Sequence, residues 1–386
     1  MIEFTFNDEL KTLRQAFNAR GFEIRLVGGA VRDIITGITP KDLDFCTDAN
    51  PDEQRKIYIA NGFRFVETGL QHGTITVVMD SVPYEITSLR TESNHDGRHA
   101  TVAYTNDWLK DLERRDFTIN AMALTFDGKV IDPFGGQQDL AKGIVRFVGN
   151  AEDRIREDYL RIMRWFRFYG RFGNDFANDD ETYETLMRFS RGLQKISRER
   201  IWSELKKIVC LPTGHLLVGS MTTYIFNHIG LDTYWSDAAC KEAAKVCSDP
   251  EVLMAAGYRF SETRTTWMAD ALKWSNEERA HVTWLCDHVN TNSDPRRLIA
   301  VDGAKREWVR EMLLLEGKEP WIADVLLSWE FKPFPVTGND LIATGRKPGP
   351  AIGYMLRHLK NEWANSNYIA TKEELLAGTA WREYED

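Results

Sequence analysis

Residues 22–47, FEIRLVGGAVRDIITGITPKDLDFCT, constrain the fold more than any other stretch. An apolar segment runs into Gly28-Gly29, a short helical pattern ends at Gly37, and a second apolar segment follows Pro40-Lys41. Strand, helix and strand in that order require a mixed α/β unit. Two glycines between a strand and a helix let backbone amides approach a phosphate closely, and a helix amino terminus favours anions. Arg32, one turn further on, suits a phosphate charge. Asp42 and Asp44 are two apart, so on a strand both carboxylates leave the same face. Such a pair can hold two divalent ions about 3.5–4 Å apart, as in-line phosphoryl displacement uses them. Taken singly, the glycines read as a turn and the aspartates as a solvated strand face; their order and spacing together favour a phosphate site.

The pattern continues as mixed α/β for about 145 residues. Residues 51–61 open on Asp48 or Asn50 with Pro51 as a helix start. Residues 73–79 and 82–89 alternate around Asp80-Ser81, a hairpin signal. The stretch 90–107, RTESNHDGRHATVAYTND, is polar and aperiodic and reads as a mobile loop. Strand and helix signals resume at 117–134 and stop at Pro133-Phe134-Gly135-Gly136. From about residue 150 the pattern becomes amphipathic helix, as at 152–171 and 198–210. Two or three domains fit 386 residues, and 43 % hydrophobic with 28 % charged residues excludes global disorder. No apolar run reaches the roughly 18–20 residues needed to span a bilayer, and MIEFTFNDEL carries no leader pattern. Cys46, Cys210, Cys240, Cys247 and Cys286 are scattered and never spaced CxxC. They read as free thiols of a reducing cytoplasm, against a disulfide framework or a structural zinc site. With a net charge of −9, any nucleic-acid partner must be held by a local basic patch.

The segment LVGGAVRDIITGITPKDLDFCT resembles the catalytic motif of the class II tRNA nucleotidyltransferases, the CCA-adding enzymes of the DNA polymerase β-like nucleotidyltransferase superfamily. The similarity runs on through HGTITVVMDSVPYEITSLR, LERRDFTINAMAL, DPFGGQQDLAKGIVRFVG, EDYLRIMRWFRFYGRF and SRERIWSELKKI, covering 22–210 in family order. Beyond 210 it is thin, although TGNDLIATGRKPGPAIGYMLRHLKNEW (337–363) is similar to the tail of many members. The resemblance implies an α+β fold: a polymerase β-like head over 1–147, a helical neck over 148–212, and a helical body and tail over 213–386 that bind tRNA. The implied reaction is template-free addition of C, C and A to the tRNA 3′ acceptor end from CTP and ATP, with release of pyrophosphate. A poly(A) polymerase or a partial CC- or A-adding enzyme shares the head motifs; the full-length 90–107 segment speaks against a CC-only enzyme. A non-catalytic tRNA chaperone is the rival of another class, and the intact Asp42 and Asp44 speak against it.

Residue by residue, the resemblance implies that Asp42 and Asp44 hold two Mg²⁺ ions, while Gly28, Gly29, Arg32 and Arg115 hold the triphosphate. Asp116 and Asn120, in RRDFTIN, suit a ribose hydroxyl; a helix start with charged first-turn residues is the plainer alternative. Glu85 reads equally as a third acid near the metals or as a glutamate paired with an arginine to fix the hairpin. Asp158, Arg161, Arg164 and Arg167 recur every three residues, a polar stripe on one helix, which an ordinary salt-bridged face would also produce. Cytosine and adenine each show an amino donor beside a ring acceptor, and uracil and guanine show the reverse. A carboxylate with a guanidinium therefore accepts C and A and rejects U and G, which is the protein template the family is understood to use. Arg164 and Arg167 then read as phosphate or base contacts. The 90–107 loop is implied to act as a lever that reshapes the base pocket for the final A. None of the eight histidines falls in a general-base constellation, and His72 reads as structural. Lys206, Lys207, Arg346, Lys347 and Arg357 are candidate contacts to the tRNA elbow or solvated charges. No membrane association is expected, and the oligomeric state is open.

Overall fold

The computed structural model describes residues 4–70, 73–93, 101–174, 180–330 and 332–378. The chain divides into two compact units, Met1–Tyr234 with Ala271–Lys273, and Trp235–Asp270 with Trp274–Asp386.

The first unit opens with α1 (Asp8–Asn18), β1 (Ile24–Val27), α2 (Gly29–Ile35), β2 (Asp44–Thr47) and α3 (Pro51–Ala60). Strands β3 (Arg64–Gly69), β4 (Thr74–Met79) and β5 (Val82–Ser88) follow, then β6 (Arg90–Ser93), β7 (Thr101–Tyr104), α4 (Trp108–Glu113), β8 (Ala123–Leu124), β9 (Val130–Ile131) and α5 (Gly136–Lys142). Seven strands form one sheet in the order β3-β4-β5-β2-β1-β8-β9. Its pairs are antiparallel except β2 with β5. Alternation along the strands divides the apolar residues between two faces. Leu26, Phe45, Ile75 and Ile86 pack with Leu13, Phe17, Ile57 and Tyr58 of α1 and α3. Val27, Cys46 and Ala123, one residue out of phase, pack with Leu89 and Leu112 on the other side. The mixed head expected from residues 22–134 is therefore present.

Local signals account for the elements that the sequence announces. Asn50 caps α3 by accepting from the Glu53 amide at 3.0 Å, with Pro51 at the first helical position. Asp80 and Ser81, with φ of 46° and 65°, close the β4–β5 hairpin in the left-handed region that a two-residue type I′ turn demands. Three expectations change. Strand β2 begins at Asp44, so Asp42 lies in the bend before it, and the shared strand face does not account for that residue. The ends of the 90–107 segment are ordered: β6 and β7 pair antiparallel from Arg90↔Tyr104 to Ser93↔Thr101. Its tip, 94–100, and His72 lie outside the described residues. The helix expected over 152–171 is two helices, α6 (Ala151–Glu157) and α7 (Leu160–Phe172), because Asp158 takes an extended backbone, φ −151° and ψ 106°.

The first unit continues with α8 (Asp180–Phe189), α9 (Arg198–Val209), α10 (Gly214–Met221) and α11 (Asn227–Ile229). Trp165 of α7 is buried, stacks on Tyr169 at 4.7 Å and donates its indole N–H to the Val145 carbonyl at 2.9 Å, fixing α7 to the end of the head. The second unit is helical: α12 (Asp237–Ala243), α13 (Pro250–Gly257), α14 (Glu262–Ala271), α15 (Asn276–His288), α16 (Pro295–Ala300), α17 (Arg306–Leu315), α18 (Pro320–Leu327), α19 (Gly338–Ala343), α20 (Pro350–Asn365) and α21 (Lys372–Ala377). Leu341, Met355, Leu359, Trp363 and Leu375 form its carboxy-terminal core. Among the described residues, no helix is long and apolar enough to cross a membrane.

The β4–β5 turn offers a test of the head's register. Ser81→Gly should stabilise the head by about 0.5–1 kcal/mol by removing a left-handed side chain, and Ser81→Val should destabilise it by about 1–2 kcal/mol. Thermal midpoints read both, and equal midpoints for the two variants would contradict the turn geometry.

Candidate active site

A cavity of about 600 Å³ opens beside the Gly28-Gly29 corner. Eight arginines (Arg32, Arg90, Arg114, Arg115, Arg161, Arg164, Arg167 and Arg200) and two aspartates (Asp116 and Asp158) line it, with Gly28, Gly29, Asn120, Leu160 and Phe168. On a chain of net charge −9, this is the local basic patch that an anionic ligand requires.

Gly28 has φ +69°, and a Cβ there would stand 2.8 Å from Arg115 Nη1. Glycine is thus demanded twice, by the backbone and by the guanidinium that approaches it. Helix α2 spans only seven residues, so its dipole is small and the guanidinium groups supply most of the positive field.

Most wall arginines are braced by a carboxylate that does not itself line the cavity. Arg32, 5 % exposed, binds Asp33 through Nε at 3.0 Å and Nη2 at 2.8 Å. It also donates to Asn120 Oδ1 at 2.5 Å and lies over the Phe168 and Phe172 rings. Burial foremost pulls its pKa below the usual guanidinium value, against the pull of Asp33. Arg114 and Arg115 share Asp111, Arg114 at 2.8 Å and Arg115 at 3.2 Å. Burial alone would raise the Asp111 pKa, but Arg115 and Arg114 outweigh it and hold the carboxyl low. Cys46, behind Arg115, is pushed up to about 12, chiefly by burial and then by Asp111, so it stays a thiol. Arg161 binds Glu157 at 2.7 Å, and Arg167 binds Glu204 at 2.6 Å.

Asp116 faces the cavity but is already engaged. It accepts from Arg164 Nε at 2.7 Å, Asn120 Nδ2 at 3.0 Å and the Phe117 amide at 2.9 Å. Burial works against its ionisation, yet Arg164 and Asn120 hold its pKa below the ordinary range. Asp158 accepts from Arg200 Nη2 at 2.7 Å and from the Leu160 amide at 3.0 Å. The salt-bridged face weighed from the sequence would have paired Asp158 with Arg161; instead Arg161 turns to Glu157, the Arg154 carbonyl at 3.0 Å and the Arg114 carbonyl at 3.3 Å.

Asp42 and Asp44 belong to an acidic edge next to this wall. Asp44 pairs in parallel register with Glu85 of β5. Its carboxyl is raised above the usual range by partial enclosure first, then by Glu85 and Asp42, with Arg115 pulling the other way. The neighbouring strand therefore presents Glu85 to the aspartates, and among the described residues no arginine or lysine salt bridge ties it down.

All of the expected nucleotide-side residues, Gly28, Gly29, Arg32, Arg115, Asp116, Asn120, Asp158, Arg161, Arg164 and Arg167, line the one cavity. Sequence reasoning missed Arg90, Arg114 and Arg200 in the wall, and Asp33, Asp111, Glu157 and Glu204 behind it. Arg114 and Arg200 stand in motifs already singled out, RRD and SRER; Asp111 lies one turn before RRD and reads as an ordinary i,i+3 and i,i+4 partner, while Glu204 carries no local signal because its partner Arg167 comes from three-dimensional packing.

Residues 24–146 match the model of the poly A polymerase head domain family. The chain is 37 % identical to the human mitochondrial CCA tRNA nucleotidyltransferase 1, with 96 % of this chain and 90 % of that protein covered. It is 30 % identical to the CCA-adding enzyme of Bacillus cytotoxicus, with 95 % of each covered. Among solved structures, the CCA-adding enzyme of Bacillus stearothermophilus in complex with CTP superimposes with a TM-score of 0.79 at 25 % identity, covering 98 % of both chains. The Thermotoga maritima CCA-adding enzyme complexed with tRNA shares the fold, with a TM-score of 0.65 at 20 % identity over 97 % of this chain and 96 % of that one.

The Asp116–Arg164 pair is the junction between head and α7. Asp116→Ala should destabilise the first unit by about 1–3 kcal/mol, because it leaves the half-buried Arg164 guanidinium and the Asn120 amide without their acceptor. Its depressed pKa means the carboxylate's contribution is complete above the unfolded value of about 3.9 and is lost as pH falls through the lower folded value. The stability gap between parent and Asp116→Asn, read from urea midpoints, should stay constant from neutral pH to about 5 and shrink only in stronger acid. A gap that vanished near pH 6 would contradict the ion pair.

Proposed function

This chain belongs to the CCA-adding tRNA nucleotidyltransferases, and from that premise we propose how its residues divide the work. The reaction is template-free addition of C, C and A to the 3′ end of tRNA, drawing on CTP and ATP and releasing pyrophosphate. The observation that carries this reading is Asp158. In a wall of eight arginines, it is the carboxylate whose bonding capacity is not exhausted. It uses two acceptor positions, one on each oxygen, of the roughly four that a carboxylate offers.

Arg161 is incomplete in the complementary sense. Three hydrogen bonds occupy its guanidinium out of about five donors. Asp158 accepts from the amino group of cytosine or adenine, and Arg161 donates to the ring nitrogen beside it. Uracil and guanine present a carbonyl to Asp158 and an N–H to Arg161, which leaves polar groups unpaired and opposed. Arg32, Arg115 and the Gly28-Gly29 corner hold the triphosphate. Asn120, oriented by Arg32 and Asp116, faces the ribose, and Arg164 and Arg167 complete the wall from α7.

The residues of the acidic edge suit magnesium by their chemistry: they offer carboxylate oxygens, partial enclosure first and then Glu85 and Asp42 raise the Asp44 carboxyl, and a hard divalent cation relieves the part of that which is repulsion. Asp42 and Asp44 would hold the metal, with Glu85 beside them. When bound, Mg²⁺ lowers the barrier by polarising the attacking and leaving oxygens. The protein's own part is positioning and electrostatic stabilisation, which dominate phosphoryl transfer. Five cysteines ranging from buried to exposed, none in a disulfide, suit a reducing compartment; cytoplasmic placement is our reading, while the human relative is a mitochondrial protein by name.

Asp42→Ala and Asp44→Ala should each abolish incorporation while tRNA affinity stays within about threefold, since metal rather than RNA contacts are lost. Robust incorporation by the double variant in magnesium would overturn the metal assignment. Asp158→Ala should admit UTP and GTP while retaining catalysis, and Arg161→Ala should reduce both C and A addition. Single-nucleotide incorporation on tRNA lacking its terminus reads these effects. If Asp158→Ala rejects UTP and GTP as well as the parent does, the base-reading role is wrong.

A further inference from the structure

Three of the wall arginines converge on one uncharged side chain. The guanidinium carbons of Arg167, Arg32 and Arg164 lie over the Phe168 ring, 4.2, 5.0 and 5.5 Å from its centroid. All three fall inside the roughly 6 Å within which an aromatic face attracts a cation. Arg164 and Arg167 reach the ring from its own helix, α7, and Arg32 reaches it from α2. Phe168 itself lines the cavity and is 3 % exposed. Its ring is fixed by Phe117, edge-on at 5.5 Å, and by Phe172, stacked at 6.4 Å.

Each of the three arginines has a carboxylate of its own: Asp33 for Arg32, Asp116 for Arg164 and Glu204 for Arg167. Those carboxylates stand on α2, just after α4 and on α9, so no acid is shared and the guanidinium groups meet at the ring. Repulsion among them is evident in their ionisation. For Arg32, burial comes first in lowering the pKa, and Arg171 and Arg167 add to it. For Arg167, burial again comes first, Glu204 opposes it, and Arg164 adds to the lowering. A further carboxylate at the meeting point would relieve this repulsion, but it would also consume N–H donors and repel an incoming phosphate. An aromatic face attracts the cations through its quadrupole and takes up N–H donors only weakly.

We propose, on the reading that this wall holds the triphosphate, that Phe168 is a positioning residue for nucleotide binding. Its ring holds Arg32, Arg164 and Arg167 in one arrangement and leaves their outward donors to the phosphate oxygens. The ring serves the phosphate end of the nucleotide and not the base, because Asp158 and Arg161 are held separately by Arg200 and Glu157. Weakening it therefore affects CTP and ATP alike and leaves base choice unchanged.

The test changes the charge distribution of the ring at nearly constant shape. Phenylalanines with one, two and three ring fluorines, which weaken the quadrupole stepwise, replace Phe168 in the full chain by nonsense suppression. Phe168→Leu and Phe168→Tyr stand beside them. KM for both CTP and ATP should rise with each fluorine, to about 10-fold at three, while kcat stays within about threefold. UTP and GTP should remain rejected. Binding of inorganic triphosphate, read by calorimetry without nucleotide, should weaken in the same order. Phe168→Leu should lose at least as much as the trifluorinated protein, and Phe168→Tyr, which keeps the aromatic face, should stay within about threefold of the parent.

A ring that only fills space would leave the fluorinated series at the parent values, because its volume hardly changes, and that result would overturn the proposal whether or not Phe168→Leu folds. A loss confined to one of the two nucleotides would overturn it as well. Arg32→Ala separates this role from the reading beneath it. If Arg32→Ala weakens triphosphate binding and the fluorinated series does not, the ring role falls and the arginine wall stands. If Arg32→Ala binds triphosphate as the parent does, the wall reading falls and the ring role with it.

Discussion

The first unit is organised around one electrostatic problem: eight guanidinium groups facing a single cavity. Like charges so close would drive the wall apart, and burying any one of them unpaired would cost several kcal/mol. The fold solves this by setting Asp33, Asp111, Glu157 and Glu204 behind the arginines they bind. The carboxylates neutralise the wall without filling it, so its front still presents N–H donors to an anion. Such donors are pre-oriented before ligand arrives, and that removes the reorganisation that water would need.

Some pairs are local, Asp111 with Arg114 and Arg115 within one turn of α4, and others join segments that are distant in sequence: Asp116, just after α4, carries Arg164 of α7, and Asp33 of α2 receives Arg171 at 3.3 Å as well as Arg32. Asn120 lies between the two halves, accepting from Arg32 and donating to Asp116. Head and α7 thus share one hydrogen-bonded network, with three bonds linking Arg32 of α2 to Arg164 of α7 through Asn120 and Asp116. Loss of any member leaves a charge without its partner in a poorly solvated place, which is why this network resists piecemeal substitution.

How much of this was legible in the sequence depends on range. Gly28, Asn50-Pro51 and Asp80-Ser81 act within a few residues, so their turn and cap were readable from local chemistry. The wall arginines were readable as motifs because they recur along short segments, RRD and the three-residue repeat of α7. The residues behind the wall were not: Asp111 and Glu204 look like ordinary surface charges of amphipathic helices until packing buries them to 1 % and 4 % exposure. Glu85 shows the intermediate case. Its strand was predicted, but its place beside Asp44 depends on the one parallel pairing in the sheet, and nothing in the alternation of β5 announces that partner. The 90–107 segment failed in the opposite direction: its polar sequence hides a paired base, since β6 and β7 are held by backbone bonds that need no apolar side chains.

The break at Asp158 explains why periodicity alone misreads the site. On a continuous helix Asp158 and Arg161 would be i,i+3 neighbours and would neutralise each other. With Asp158 in extended conformation, α6 ends at Glu157 and α7 restarts at Leu160, whose amide the carboxylate caps. Arg161 is then compensated by Glu157 from the turn below, and Asp158 by Arg200 from α9. Each group is paired with a partner of its own, and each retains unused hydrogen-bonding positions. Two opposite charges three residues apart stay available to a third molecule because the helix does not run through them.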